Sequence, residues 1–255
     1  KGIYVTQILS LTWQNHSKNV EYCRKENVYE KNNNYNIDKI EIPQNVSEIR
    51  AKAFANSTLN DVKLLSSNIE IDNTAFDNTN WLKKQNNEII YIDQVAFKFT
   101  GENLPTELTI KDRTTAIAAN FMKGNINLKK INLPSSLEVI GSAAFENCTN
   151  LSSITLPPYI TNINKYAFAN CHELKYINLS SYLISIGDFA FENCTNIDSI
   201  TINQAYCSIG IGAFRNCNKM TKATIGDKIT SIGDMAFAYC TNLKGINADK
   251  KIILD

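Results

Sequence analysis

Apolar residues recur along this chain on one long cycle, neither alternating as in an exposed strand nor stepping every three to four residues as in a surface helix. Ala-Phe pairs set the phase, with Phe145, Phe168, Phe191, Phe214 and Phe237 separated by 23 residues each time. Phe121 precedes that series by 24 residues, and Phe54 and Phe76 lie 22 apart. One cycle reads Leu128, Ile131, Leu133, Pro134, Leu137, Ile140, Gly141, Ala144, Phe145, Cys148. The next reads Leu151, Ile154, Leu156, Pro157, Ile160, Ile163, Ala167, Phe168, Cys171. A unit this short cannot bury its apolar set alone. Stacking unit on unit buries a continuous core, so the period predicts a solenoid.

The spacing within a cycle predicts its local elements. Leu-x-x-Ile-x-Leu puts Ile131 and Leu133 on one side of a short strand and Lys130 and Asn132 on the other. Pro134 ends that strand because it has no N–H for a ladder. Leu137 to Ile140 reads as a second short extended segment. Gly141 reads as a turn position where a Cβ would be resisted, and Ala144-Phe145 as a tight helical turn with the ring inward. The predicted fold class is a β-rich solenoid of about 23 residues per coil, with two short strands and a short helical turn in each.

The cycle falters between Phe76 and Phe121, which are 45 residues apart. Glu88 to Ile92, Asp93-Gln94 and Val95 to Phe99 read there as a β-hairpin with a two-residue turn. Phe97 falls near the repeat phase but reads as a hairpin residue. The domain division expected is therefore a cap or flanking segment over 1–36, which would cover the first apolar face, and a repeat domain over 37–255 with an irregular hairpin unit at about 77–120. No cap is evident at the C-terminal end, so the repeat is expected to continue in a longer protein.

The repeat closely resembles the BspA-like, or Treponema-type, class of leucine-rich repeats. Ile186-Gly187-Asp188-Phe189-Ala190-Phe191-Glu192-Asn193-Cys194 carries the Ile-Gly-x-x-Ala-Phe-x-x-Cys mark of that class. Members have a similar hairpin element, beginning with a Trp like Trp81 and ending near a Gly like Gly101. The resemblance implies a right-handed superhelix with strands on the concave face. It also implies surface-exposed proteins of host-associated microbes, often adhesins.

Charge and chemistry narrow the function. Lys and Arg number 26 against 25 Asp and Glu, which gives no electrostatic reason to expect a nucleic acid or an anionic membrane. No run approaches the roughly 18 apolar residues of a membrane span, and Lys1 to Leu11 lacks a clean export-signal layout. The histidines are His16 and His172, and neither has neighbours suggesting a catalytic triad. No phosphate loop or dinucleotide fingerprint appears, so neither catalysis nor a cofactor is expected. Cys148, Cys171, Cys194, Cys217 and Cys240 share one column. They read as buried free thiols, because parallel Cβ vectors in a stack suit a disulfide poorly and no C-x₂-C metal motif is present. Asn-x-Ser/Thr triplets at Asn15, Asn45, Asn56, Asn147, Asn150, Asn178 and Asn193 read first as stacking or capping Asn, and as glycan acceptors in a secreting eukaryote.

Two surfaces remain as binding candidates. Outward strand positions give one column through Lys130, Ser153, Tyr176, Ser199 and Lys222, and another through Asn132, Thr155, Asn178, Thr201 and Thr224. Together they predict a shallow, nearly neutral polar groove with Tyr176 as its anchor, although Thr and Asn also suit exposed strands without any ligand. The hairpin region offers Trp81, Tyr91, Phe97 and Phe99, which either pack it onto the stack or form a projecting contact. The expected function is a non-catalytic protein-binding module of a cell-surface or secreted protein, with a host extracellular protein as the ligand type the resemblance suggests. An intracellular scaffold and a carbohydrate-binding module are the alternatives, the last needing aromatic platforms where only Tyr176 qualifies.

Overall fold

The structure is a computed structural model that describes residues 37–44, 46–66, 69–203 and 206–248; the expected cap over 1–36 lies outside them. The chain coils into a β-solenoid whose turns contribute short strands to two faces. The first turns carry β1 (Lys39–Ile42), β2 (Glu48–Ile49), β3 (Asp61–Leu64) and β4 (Glu70–Ile71). The short helix α1 (Asn80–Lys83) and a hairpin of β5 (Ile89–Ile92) and β6 (Val95–Phe99) follow. Regular coils then supply β7 (Glu107–Thr109), β8 (Ala116–Ile117), β9 (Lys130–Asn132), β10 (Val139–Ile140), β11 (Ser153–Ile154), β12 (Asn162–Ile163) and β13 (Ser185–Ile186). The last coils add β14 (Ser199–Ile202), β15 (Ser208–Ile209), β16 (Lys222–Ile225), β17 (Ser231–Ile232) and β18 (Ile246–Ala248).

One face is a continuous ladder in the order β17-β15-β13-β12-β10-β8-β6-β5, parallel except for the antiparallel hairpin pair. The other face is broken into β1-β3, β7-β9-β11 and β14-β16-β18. Its register is in phase with the repeat, since Lys130 pairs with Ser153 and Ser199 with Lys222. Strand alternation then sorts the side chains: Ile131, Ile200 and Ala223 are buried, while Lys130, Ser199 and Lys222 face out.

The aromatic column is stacked as the spacing predicts. Phe145, Phe168, Phe191, Phe214 and Phe237 follow one another at centroid separations of 5.3–5.4 Å with rings within 12° of parallel. Phe54 and Phe76 form a shorter stack of the same kind, at 5.2 Å. Between the two stacks the hairpin changes the packing. Phe97 is fully buried and meets Phe76 edge-on at 5.5 Å and 75°. It is therefore a core residue of the repeat column, turned out of the stack. Trp81, placed by α1 whose N-cap Thr79 accepts the Leu82 N–H, packs against both rings.

The segment expected as a helical turn is instead a staircase of overlapping β-turns. Ala144 N–H donates to Gly141 O, Glu146 to Ala143 O and Cys148 to Phe145 O, each three residues back. The intervening N–H groups of Ala143, Phe145 and Asn147 donate to Lys165, Ala167 and Ala169 of the next coil. That division requires left-handed residues at intervals, and φ is +55° at Ala143, +61° at Asn147, +57° at Tyr166 and +61° at Asn170. Asn tolerates this region better than most residues, which accounts for the Asn two residues after Phe54, Phe76, Phe145, Phe168, Phe191 and Phe214. Gly141 is needed for a different reason than a turn conformation. A Cβ there would lie 2.6 Å from Ile117 O and 2.7 Å from the Ala118–Ala119 backbone, so glycine permits close approach of neighbouring coils.

The cysteine column is buried and free. Each Sγ donates to a carbonyl of the preceding coil: Cys171 to Phe145 O at 3.2 Å, Cys194 to Phe168 O at 3.1 Å and Cys240 to Phe214 O at 3.1 Å. Burial pushes the Cys148 thiol up to about 12, and raises Cys171 and Cys194 in the same direction. Such thiols stay protonated and unreactive at neutral pH. The Asn column forms an amide ladder, with Asn170 donating to Asn147, Asn193 to Asn170 and Asn216 to Asn193 at 2.7–2.8 Å.

Candidate functional site

The outward columns of the broken face are the first candidate. Lys130 is exposed and bonds Glu107 Oε1 through Nζ at 2.7 Å, while Asn132 donates to Glu107 at 2.9 Å and to Thr109 Oγ1 at 3.0 Å. The Lys130 ammonium holds the Glu107 carboxyl below its ordinary range, with Asn132 adding to the effect. Thr155, Tyr176, Asn178, Ser199, Thr201 and Lys222 are exposed, Thr224 is half-buried, and Ser153 lies in β11. Ser199 and Thr201 sit beside Lys222 and Thr224 across the β14–β16 pairing.

Tyr176 and Asn178 do not lie in a strand, contrary to the column reading. Among the described residues, Lys175, Tyr176, Ile177 and Asn178 make none of the inter-coil backbone bonds that β9 and β11 make. Just beyond this segment, Pro157-Pro158 of the preceding coil have no N–H to contribute, and the contact to them is made by a side chain, as the Ser180 hydroxyl donates to Pro158 O. Tyr176 nevertheless projects fully, at 72% exposure.

Sequence reading missed a second aromatic feature beside it. Tyr159 and Tyr182 are both exposed and their rings lie 5.6 Å apart, on the turn that joins the two faces. Ile184 and Tyr206 are exposed nearby in sequence. Tyr159 and Tyr182 are one period apart, so the same phase rule could have found them.

The hairpin residues divide. Trp81 and Phe97 are buried and hold the hairpin to the stack, so they present no contact surface. Nor does the hairpin project, because β6 continues the long ladder through β8. Tyr91 and Phe99 are half-buried. The Tyr91 hydroxyl accepts the Lys111 N–H at 3.1 Å, the Lys111 ammonium lies 3.9 Å from its ring centroid, and burial raises its phenol above the ordinary value.

A cleft of about 300 Å³ lies where the two stacks meet, lined by Glu48, Arg50, Glu70, Asp72, Lys165 and Tyr166 among others. Its carboxylates are committed to structure: Glu70 accepts from Ser142 N at 2.9 Å and Asn164 Nδ2 at 3.0 Å, and Asp72 from Asn120 Nδ2 at 3.0 Å. Among the described residues no His, Cys, Asp or Glu group could hold a metal ion, and no helix is long and apolar enough to cross a membrane.

Comparison with known proteins agrees with this architecture. The BspA-type leucine-rich-repeat region, in six copies, matches residues 25–148, 84–180 and 115–244. The chain belongs to the BspA-type leucine-rich-repeat family. It is similar to the crystal structure of a Treponema pallidum leucine-rich-repeat protein, with 26% identity and a TM-score of 0.55 over 59% of this chain and 73% of that one. A leucine-rich-repeat protein from Eubacterium ventriosum matches in fold with a TM-score of 0.60 at 22% identity, over 85% of this chain and 62% of that one. A leucine-rich cell surface protein from Faecalibacterium prausnitzii matches at 22% identity and a TM-score of 0.47, over 84% of this chain and 60% of that one. No curated protein matches the sequence.

Proposed function

We propose that this chain is a non-catalytic binding module of a cell-surface or secreted protein, and that its ligand is another protein. The observation that carries the reading is the surface around Tyr176. Tyr176 projects at 72% exposure from a polar face, with the exposed Tyr159–Tyr182 pair on the adjoining turn. Tyrosine supplies contact area and a hydroxyl at low entropic cost, which is why it anchors protein interfaces. Family membership agrees with a repeat module that works through its surface.

The test is an array of extracellular-matrix proteins and an array of glycans, probed with purified chain. Saturable binding to protein spots, lost in Tyr176→Ala with the circular dichroism spectrum unchanged, supports the reading. Binding confined to glycans moves the function to carbohydrate recognition. Binding unaffected by Tyr176→Ala moves the site off this face. The location is tested separately: a full-length reading frame with neither an export signal nor a surface anchor would favour an intracellular scaffold.

A further inference from the structure

Charge is distributed unevenly along the broken face. In the N-terminal coils each outward lysine meets a carboxylate one coil away: Lys39 with Asp61 at 3.7 Å, Lys63 with Glu41 at 3.4 Å and Lys130 with Glu107 at 2.7 Å. Beyond Lys130 this pairing stops. Lys129, beside Lys130, and Lys175, Lys219, Lys222 and Lys244 beyond it are all exposed, and none has an ion pair among the described residues. Lys129, Lys175 and Lys244 share one repeat position, which Asp198 holds one coil beyond Lys175, and Lys222 lies at the next, in register with Lys130 and Tyr176. The acidic residues on the same segments are Glu173, whose carboxylate is bonded by Asn196 at 3.2 Å, and Asp198.

We infer that this face binds an acidic, extended polypeptide segment, centred on Tyr176 and flanked by Lys175 and Lys222. The inference rests on the protein-binding reading above and names the chemistry of the partner. Stacked strands are roughly 4.8 Å apart, so Lys175 and Lys222 are roughly 10 Å apart and Lys130 and Lys222 roughly 19 Å. The shorter interval is close to the Debye length of about 8 Å at physiological salt and the longer one exceeds it, so potentials add only between the nearer lysines. Six extended residues span roughly 20 Å, which matches the distance from Lys130, itself paired with Glu107, to Lys222. The choice of a polypeptide over a sulfated glycan follows from the protein-binding reading, and the glycan is an outcome of the test. Sequence columns alone give a near-neutral groove, because the lysines sit on three phases rather than one.

The test uses fluorescence anisotropy with a labelled twelve-residue peptide of alternating Glu and Ser. The Gln/Ser counterpart and a sulfated heparin oligosaccharide serve as comparators. The acidic peptide binds, its affinity falls as salt is raised, and the Lys175→Glu/Lys222→Glu double variant weakens it about tenfold or more. Lys83→Glu, on α1 away from this face, leaves it unchanged, and circular dichroism confirms that both variants fold. Equal binding of the Gln/Ser peptide, equal loss in Lys83→Glu, no peptide binding, or binding of the oligosaccharide alone each overturns the inference. Peptide failure beside saturable binding on the protein array removes only the acidic partner. Failure of both removes the binding reading itself.

Discussion

Phe191→Ala tests the stacked core most directly. Phe191 is fully buried and touches two rings of its own column, Phe168 at 5.4 Å and 6°, and Phe214 at 5.3 Å and 8°. Truncating a buried Phe costs about 3–5 kcal/mol through lost transfer energy and the cavity left behind. The two stacked contacts put this site toward the upper end, since each aromatic pair contributes about 0.5–1.5 kcal/mol beyond area. Relaxation is restricted because the coils above and below are tied by inter-coil backbone bonds on both sides of the ring, Phe168 N to Ala190 O and Phe191 N to Ala213 O. The exposed Thr201 should cost less than about 0.5 kcal/mol when changed to Ala. Urea unfolding followed by circular dichroism measures both. At an m-value of about 2–3 kcal/mol per M, Phe191→Ala moves the midpoint by more than about 1 M, and Thr201→Ala by a few tenths at most. Trp81 packs in the other stack, against Phe76 and Phe97. Nearest-neighbour coupling in a solenoid therefore predicts a smaller early change in tryptophan fluorescence than in ellipticity. Equal midpoints for the two variants would refute the in/out assignment, and a loss below about 1 kcal/mol for Phe191→Ala would refute the close-packed column.

Other changes probe the turns and thiols. Asn193→Ala removes two amide bonds of the ladder and forces Ala into φ +58°. It should cost about 2–4 kcal/mol in thermal unfolding, and Asn193→Gly about 1 kcal/mol less because Gly adopts that φ freely. Gly187→Ala would place a Cβ 2.6 Å from Lys165 N and 2.7 Å from Asn164 C, so a loss of about 1–3 kcal/mol is expected, whereas unchanged stability would mean the coils are not in this contact. The folded chain should resist thiol reagents at pH 8 at Cys148, Cys171 and Cys194 and react on unfolding; rapid native labelling of these positions would contradict their burial. Because burial raises the folded pKa of Cys148 to about 12 and that of Cys207 to about 11, the unfolded chain releases these protons first. Stability is therefore full below about pH 8.5, the ordinary thiol value, and falls as pH rises from there toward 11–12, which a pH series of urea midpoints would show.

The fold was legible because its signal is a repeated one. The Phe column, the Cys column and the 88–99 hairpin are each set by spacing, and spacing survives in a single sequence. What spacing could not convey is backbone conformation. Ala143 and Tyr166 give no sign of a left-handed φ, since the requirement comes from the N–H each must send to the next coil. Gly141 was read as a turn residue although it marks where two backbones nearly touch. Phe97 looked out of place because a hairpin strand, rather than a repeat strand, carries it into the core. The candidate surface was half visible. Tyr176 and the strand columns follow from phase, but the interrupted ladder at Lys175 to Asn178 does not. The unmatched lysines become evident only once neighbouring coils are aligned.

The turn staircase has an electrical consequence. Its inter-coil bonds all run one way, from Phe54 to Ala75, from Phe145 to Ala167 and from Phe214 to Ala236, with the earlier coil always the donor. Peptide units of about 3.5 D aligned head to tail add up, as they do in a helix. One edge of the rod thus carries a dipole along its length, negative toward the early coils and positive toward the late ones. In the last described turn, Met235, Phe237 and Tyr239 have N–H groups that no carbonyl among the described residues receives. Whatever abuts that end, another coil or another molecule, is favoured if it brings oxygen atoms to meet them.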